Sequence, residues 1–389
     1  MKISVITKYF YPVAAGIETN ILETYAVLVE RGFDVTIYTS SGTLTERATL
    51  TDHEIIRGIK VKRYPLFQFF FMLPIDFKNT DVIALHNFNL IPHLIFLTRA
   101  LIAKLLGRKH YRLFLTPHGG FNPEWSVFPK WQSSIKIVLH YTIGAFLINH
   151  ATDGVRAVSE WEKEEMIKKG LFPDIIRVID NGIEDQAYEN VDITASDEIK
   201  KRVSELGEYI IQVGRIYKIK NYETVIKAMP LVPPHLKFVI VGPIGDKAYL
   251  EELKDLARSL GVSDRVVFFG VVRGSDKYYI IKHARMMVHM ALWESFCNVV
   301  HEGLSQGLIC IVADNTALPL LIKDRVNGYC LPTKDTAAVT EKISFVEKHM
   351  DDAKLIAMRD RNRVFGLQNS WRDVAGRMAA FYNQHICTY

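Results

Sequence analysis

The chain has 389 residues, 49% of them apolar and 23% charged, with a net charge of +5. This is the composition of a folded protein of two or three domains, and it excludes disorder. The four cysteines, Cys297, Cys310, Cys330 and Cys387, form no C-x-x-C pair, which argues against a disulfide framework or a zinc ribbon and for a reducing, cytoplasmic setting.

The charge is unevenly spread. Between Ile55 and His150 there are twelve Lys and Arg and three acids, a net +9, which leaves the rest of the chain at −4. One basic region on a slightly acidic protein suits an anionic partner surface. No nucleic-acid-binding motif accompanies it, so nucleic acid is not expected. No uninterrupted apolar stretch reaches the roughly 18 residues of a membrane span. Met1–Lys8 reads as a first strand rather than a signal peptide.

In chain order, short β-branched apolar runs alternate with helical periods. Strands are expected at Ile3–Thr7, Phe33–Thr39, Val82–His86, Arg112–Thr116, Gly154–Val158 and Ile175–Ile179. A helix over Glu18–Arg31 carries Ile21, Leu22, Tyr25 and Leu28 on one face and ends at Gly32. After a polar stretch, Glu184–Glu205, the pattern restarts. Strands are expected at Tyr209–Val213, Lys237–Val241, Arg265–Phe269, Met286–His289 and Ile309–Val312. Helices are expected at Tyr222–Met229, Lys247–Leu260, Asp276–His283, Asn298–Ser305 and Leu318–Lys323, and Thr336–Tyr389 reads as mostly helical. Such alternation predicts an α/β protein whose parallel sheets carry helices on both faces. Two Rossmann-like domains are expected, residues 1–185 and 207–370, joined by a linker over 186–206.

Parallel α/β sheets bind ligands beyond the carboxyl ends of their strands, so residues just after strands are the candidates. The loop Tyr9–Glu18, with Gly16 at the helix start, is small enough to approach a phosphate. It is not G-x-G-x-x-G, which argues against a dinucleotide enzyme. Thr116-Pro117-His118-Gly119-Gly120 places a histidine at another strand end. Ser159 and Glu162 have capping-box spacing, a structural role. Asn181-Gly182 marks a turn.

The second half opens on Val213-Gly214-Arg215, followed by Lys218 and Lys220. Cations on a strand-to-helix loop can clamp a diphosphate or form a solvated basic loop. The most specific pattern is Glu294-Ser295-Phe296-Cys297-Asn298-Val299-Val300-His301-Glu302. Two acids eight residues apart flank the free N–H groups of a helix start, which suits a polyhydroxyl ligand. Glu302 lies among Val299, Val300, Gly303 and Leu304, where an acid needs a reason.

Taken in order over nearly the whole chain, these residues resemble the retaining glycosyltransferases of family 4, with the GT-B fold. The resemblance rests on the Gly16 loop, His118, Asn181-Gly182, Gly214-Arg215 with Lys220, the Glu294/Glu302 pair and Asn327-Gly328-Tyr329. It implies two Rossmann-like domains facing across a cleft, with the C-terminal helix, near 371–389, crossing back to the first. It implies transfer of a sugar from a nucleotide diphosphate sugar to a hydroxyl of a glycan or lipid-linked acceptor, with UDP-sugars favoured and GDP-mannose second. By position, Arg215 and Lys220 would hold the donor diphosphate and Glu302 the ribose. Glu294 and the amides of Phe296, Cys297 and Asn298 would meet the donor sugar. Gly16 would approach the diphosphate, His118 the reacting sugar, and the acceptor would bind mainly the first domain. No D-x-D motif appears, so neither a required metal nor another cofactor is implied.

The sequence departs from the family pattern at Ala15, Asn221 and Cys297, where glycine is usual, and at Leu320, where an acid is usual. The alternatives are another GT-B enzyme, such as a nucleotide-sugar epimerase or a phosphorylase, and a non-catalytic carbohydrate-binding protein. The basic segment also carries aromatics. Leu66–Pro74 follows Lys60, Lys62 and Arg63, and the apolar Leu90–Leu106 carries Arg99 and Lys104 before Arg108, Lys109 and Arg112. This is the make-up of a protein held peripherally on the inner face of a membrane, unless those segments are core or a dimer contact.

Overall fold

The structure is a computed structural model that describes residues 1–13, 16–42, 50–88, 90–125 and 130–383. The chain forms two compact units, Met1–Gly182 with Trp371–Tyr389, and Ile183–Ser370.

The first unit is built on eight strands: β1 (Lys2–Ile6), β2 (Asp34–Ser40), β3 (His53–Ile56), β4 (Ile59–Tyr64), β5 (Val82–His86), β6 (Arg112–Thr116), β7 (Gly154–Ala157) and β8 (Ile176–Val178). Their order is β3-β4-β2-β1-β5-β6-β7-β8. All neighbours run parallel except β3, which pairs antiparallel with β4. This edge hairpin was not expected. β4 alternates apolar and polar over Ile59–Lys62 and is rich in cations, and the hairpin turn is Arg57-Gly58, both at positive φ. The hairpin geometry is that of a two-residue primed turn, but the dipeptide is not one of the usual turn signals.

Helices cover both faces of this sheet, and a core forms on each side. One face receives the Trp371–Asn383 helix. It buries Trp371, Val374, Ala375, Met378, Phe381 and Tyr382, a spacing of three and four that puts one apolar stripe inward. That helix packs on the Gly16–Glu30 helix, and Arg372 pairs with Glu30 at 3.0 Å. Residues 384–389 of the expected C-terminal helix lie outside the described residues.

The second unit has six strands: β9 (Tyr209–Val213), β10 (Lys237–Val241), β11 (Val266–Gly270), β12 (Met286–His289), β13 (Cys310–Ala313) and β14 (Gly328–Leu331). They are all parallel, in the order β11-β10-β9-β12-β13-β14. Only β14 had no counterpart in the sequence reading. In both sheets the chain reverses its direction of winding beside the first strand, between β1 and β5 and between β9 and β12. Such a switch point leaves a crevice at the carboxyl ends of the strands.

The expected linker over 186–206 is instead folded into the second unit. Ile183, Ala187 and Val191 are buried with Tyr278. The Asp197–Ser204 helix is capped by Ser196 and buries Ile199 and Val203. Polar composition misled here because the segment is amphipathic and buries only its few apolar residues. Among the described residues no helix is long and apolar enough to cross a membrane.

Candidate functional site

In the second unit the site grows from the ends of β9 and β12, which flank the switch point. After β9 the chain turns at Gly214, whose amide donates to the Val241 carbonyl at 2.8 Å. The neighbouring loop passes so close that a Cβ on Gly242, at φ 148°, would lie 2.1 Å from the Gly214 oxygen. Only glycine allows that approach. Arg215 follows, half-buried. Among the described residues its guanidinium makes neither a hydrogen bond nor an ion pair.

Lys220 ends a short 3-10 turn and places its Nζ 2.5 Å from Glu294 Oε1. The same oxygen meets His289 Nε2, at the end of β12, at 2.8 Å. Burial alone would push the Glu294 carboxyl up, but Lys220 and His289 bring it down to about 2. Burial opposes the Lys220 charge, and Glu294 holds the ammonium above the ordinary lysine range. Burial likewise lowers His289 despite Glu294. A neutral His289 thus donates from Nε2 to an ionised Glu294.

Asn221 and Cys297 both have left-handed backbones, φ 52° and 79°. These are positions that glycine would fill at no steric cost, which accounts for both departures from the family pattern. Asn221 tolerates its position because its side chain is anchored, Nδ2 donating to Met290 O at 2.7 Å and Thr333 O at 3.0 Å. Cys297 is the N-cap residue of the Asn298–Ser305 helix, and burial pushes its thiol up. The first amides of that helix, beginning at Asn298, have no intrahelical acceptor.

Glu302 lies on the buried face of the same helix. Lys277 Nζ is 3.0 Å from its Oε1 and 2.6 Å from Glu184 Oε2. Burial, with Glu184 nearby, holds the Glu302 carboxyl above its ordinary range against the pull of Lys277. Its Oε2 is buried and, among the described residues, without a hydrogen-bond partner. Sequence reasoning missed Lys277, whose helix carries no motif, and Glu184, which fell at the edge of the presumed linker.

In the first unit the candidates lie beyond β1, β5 and β6. Gly16 is exposed as the first residue of its helix. Ala15 lies outside the described residues. His118 follows β6 at φ 50° and is 9% exposed. Its turn is fixed from two sides. Gly120 sits where a Cβ would come within 2.3 Å of Asn87 Oδ1. The Gly119 amide donates to Glu162 Oε1, while Glu162 Oε2 accepts from Val158 N at 2.7 Å. Burial lifts the Glu162 carboxyl to about 7 against these amides. Ser159 Oγ accepts from Glu162 N at 3.1 Å, so the serine caps its helix as expected, and the acid at the box position also shapes the His118 turn.

Asn181 has a larger part than a turn. Its Oδ1 accepts from Asn20 Nδ2 at 2.6 Å and from Arg156 Nη2 at 3.0 Å. Arg156 is wholly buried, and its Nε donates to Ile179 O at 2.9 Å. This fixes one positive charge beneath the His118 turn. No motif signals it, since Arg156 sits inside β7.

Two groups of side chains could hold a metal ion among the described residues: His289, Glu294 and Cys297, and the more exposed Glu208, His235 and Glu347. In the first, the Lys220 ammonium already occupies the Glu294 carboxylate.

Two doubly-wound α/β units, one carrying a Lys–Glu pair and, among the described residues, an arginine without a side-chain partner at strand ends beside its switch point, define a class of protein suited to an anionic ligand. Family models agree: Glycosyltransferase Family 4 matches residues 14–187 and Glycosyl transferases group 1 matches residues 195–363. The chain belongs to glycosyltransferase family 4, enzymes of GT-B fold that act on nucleotide sugars. An uncharacterized glycosyltransferase of Methanocaldococcus jannaschii is 28% identical over 61% of each chain. Alpha-monoglucosyldiacylglycerol synthase of Streptococcus pneumoniae is 25% identical over 84% of this chain and 74% of its own. The crystal structure of Anabaena HepE in complex with UDP and glucose has the same fold. Its TM-score is 0.76, at 17% identity over 99% of this chain and all of that one.

Proposed function

We propose that this enzyme is a retaining, metal-independent hexosyltransferase that moves a sugar from a nucleotide diphosphate sugar, UDP-linked in the favoured case, to a hydroxyl of a lipid-linked or glycan acceptor. The observation that carries the proposal is Arg215, a half-buried cation with no acceptor among the described residues, on the loop that also brings Lys220 to Glu294. A half-buried guanidinium without a side-chain partner among the described residues is free to take an anion, and its fork fits a diphosphate.

In this reading Arg215 and Lys220 bind the diphosphate, with Gly16 leaving its backbone close to it. Glu294, the amides of Phe296, Cys297 and Asn298, and His118 bind sugar hydroxyls. Glu302 Oε2 takes the ribose. As the glycosidic bond breaks, negative charge grows on the leaving diphosphate, and cations already in place lower that barrier. Glu294 is held ionised by Lys220, which suits it to accept from hydroxyls and not to deliver a proton.

The lipid-linked acceptor draws support from the glycolipid synthase among the relatives and from the surface of the first unit. Phe67, Phe71 and Met72 are 69%, 52% and 66% exposed, and Ile102, Leu105 and Trp131 are 52%, 77% and 66% exposed. The Leu66–Phe71 helix packs beside the Leu90–Leu105 helix, whose inner face buries Phe96, Leu97 and Ala100. The cations need correcting. Arg63 is buried against Glu54, and Lys109 pairs with Asp153, so neither can serve a headgroup. Lys104, Arg108 and Lys130 remain exposed. We place the enzyme on the inner face of a membrane through these residues.

The test is a donor screen by released nucleotide, with and without lipid-linked acceptors, and with the anomeric configuration of the product read by NMR. An inverted product would remove retention, and an epimerised sugar without a new glycosidic bond would remove the transferase. Co-sedimentation with anionic vesicles should fall at high salt and in a Lys104/Arg108/Lys130→Glu variant. Binding indifferent to salt, lipid charge and these changes would remove the membrane reading alone.

A further inference from the structure

Beneath His118 runs a chain of four buried groups within the first unit. His118 Nε2 lies 2.9 Å from His86 Nδ1. His86 Nε2 lies 2.8 Å from the Tyr25 hydroxyl, and that hydroxyl lies 2.7 Å from the hydroxyl of Tyr382 on the C-terminal helix. Tyr25 and His86 are 0% and 1% exposed, and Tyr382 is 1% exposed.

Each member has one proton to place, and the chain can run in only two directions. In one, Tyr382 donates to Tyr25, Tyr25 to His86 Nε2, and His86 Nδ1–H to His118 Nε2. Every proton of the three buried members is then used. In the other, His118 donates inward and the final proton falls on Tyr382. Among the described residues Tyr382 has no further acceptor, so a buried O–H would be stranded. Buried donors are almost always satisfied. The Arg156 charge bears on whether the rings are protonated, and not on the direction of the chain. It disfavours protonation of both imidazoles, beyond what burial does, so each ring carries a single proton.

We infer that Tyr382, Tyr25 and His86 are positioning residues that fix His118 as a neutral imidazole with its proton on Nδ1, so that His118 serves the reaction as a hydrogen-bond donor to a substrate oxygen and not as a base. The inference deepens the proposed transferase function and rests on it for the identity of that oxygen. The tautomer itself is a property of the free protein. It also gives the C-terminal helix a part in the site, because the direction of the chain is set at Tyr382.

The test is a long-range proton–nitrogen NMR correlation on protein labelled at histidine nitrogen, with the His118 signals assigned from a His118→Gln variant. The expected pattern is a protonated Nδ1 and an unprotonated Nε2 at neutral pH. Tyr25→Phe disconnects the chain. His118 should then become a mixture of tautomers, with kcat falling about two- to tenfold while the donor KM stays within about twofold. Tyr382→Phe should change both in the same direction and less. A protonated Nε2 in the parent protein, or a Tyr25→Phe variant with unchanged tautomer and unchanged kcat, overturns the inference. Loss of sugar transfer by the parent with every donor tried would instead overturn the function, whatever the spectrum shows.

Discussion

At the end of β12, His289 meets an ionised carboxylate that a lysine holds in place; at the end of β5, His86 meets a second imidazole and a phenol. Both rings are buried and both are driven towards the neutral form, mainly by burial. Their neighbours differ. In the second unit charged groups gather, with Glu294 held near 2, Lys220 beside it, Arg215 without a side-chain partner among the described residues, and Glu302 against Lys277. In the first unit the nearby cation Arg156 is occupied by Asn20, Asn181 and the Ile179 carbonyl. Equivalent places on two parallel sheets thus carry different chemistry: one end prepared to hold phosphate charge, the other to present an oriented neutral donor.

The contrast can be broken at its charged end. Replacing Lys220 with alanine should lower turnover by about 10²–10³, since a preorganised contact to developing charge is lost. Nucleotide affinity should fall much less, and steady-state kinetics with calorimetry on the folded variant separates the two. Unchanged turnover would remove Lys220 from the mechanism.

Glu302→Ala should act on binding and not on the rate. Two hydrogen bonds donated by ribose hydroxyls to the carboxylate would each contribute about 1.5–3 kcal/mol, so nucleoside diphosphate affinity should fall at least about tenfold. Lys277 keeps Glu184 as a partner in that variant, which protects the fold. Equal affinities by calorimetry would show that Oε2 does not face the ribose.

A smaller effect is expected from Glu162→Gln in the neutral region. The amide can accept at only one oxygen, so either Gly119 or Val158 loses its acceptor. The expected loss is about 1–3 kcal/mol of stability in chemical denaturation, with the His118 turn loosened. A variant as stable as the parent would show that the turn does not depend on this carboxyl.

The pH dependence is the mildest test. Burial first, with Arg156 and His93 adding, lowers His86 from its ordinary 6.5 to about 3. A base whose folded value is depressed contributes stability that is complete above about 6.5 and is lost as pH falls towards about 3. The His86 ring should therefore stay neutral from pH 8 to pH 5 in an NMR titration. A midpoint near 6.5 would contradict the neutral chain.

The sequence by itself determined the alternation of strand and helix and hence two parallel sheets, because apolar β-branched runs and helical periods are local signals. It also placed the Glu294/Glu302 spacing, the Arg215–Lys220 loop and the strand-end His118, since each lies on the loop or helix that comes next after a strand. It could not show that Asn221 and Cys297 stand in for glycine by taking left-handed backbones, because that depends on anchoring by Met290 and Thr333 and on the helix start at Asn298. Nor could it reveal partners far apart in the chain. Lys277 reaches Glu184 across 93 positions, and Tyr25 reaches Tyr382 across 357. The polar 186–206 segment became part of the second unit, and four cations of the basic region, Lys60, Arg57, Arg63 and Lys109, were drawn into ion pairs. Only the tertiary structure decides such matters, because charge state, tautomer and exposure are set by neighbours brought together in space, and the linear order of residues does not record who those neighbours are.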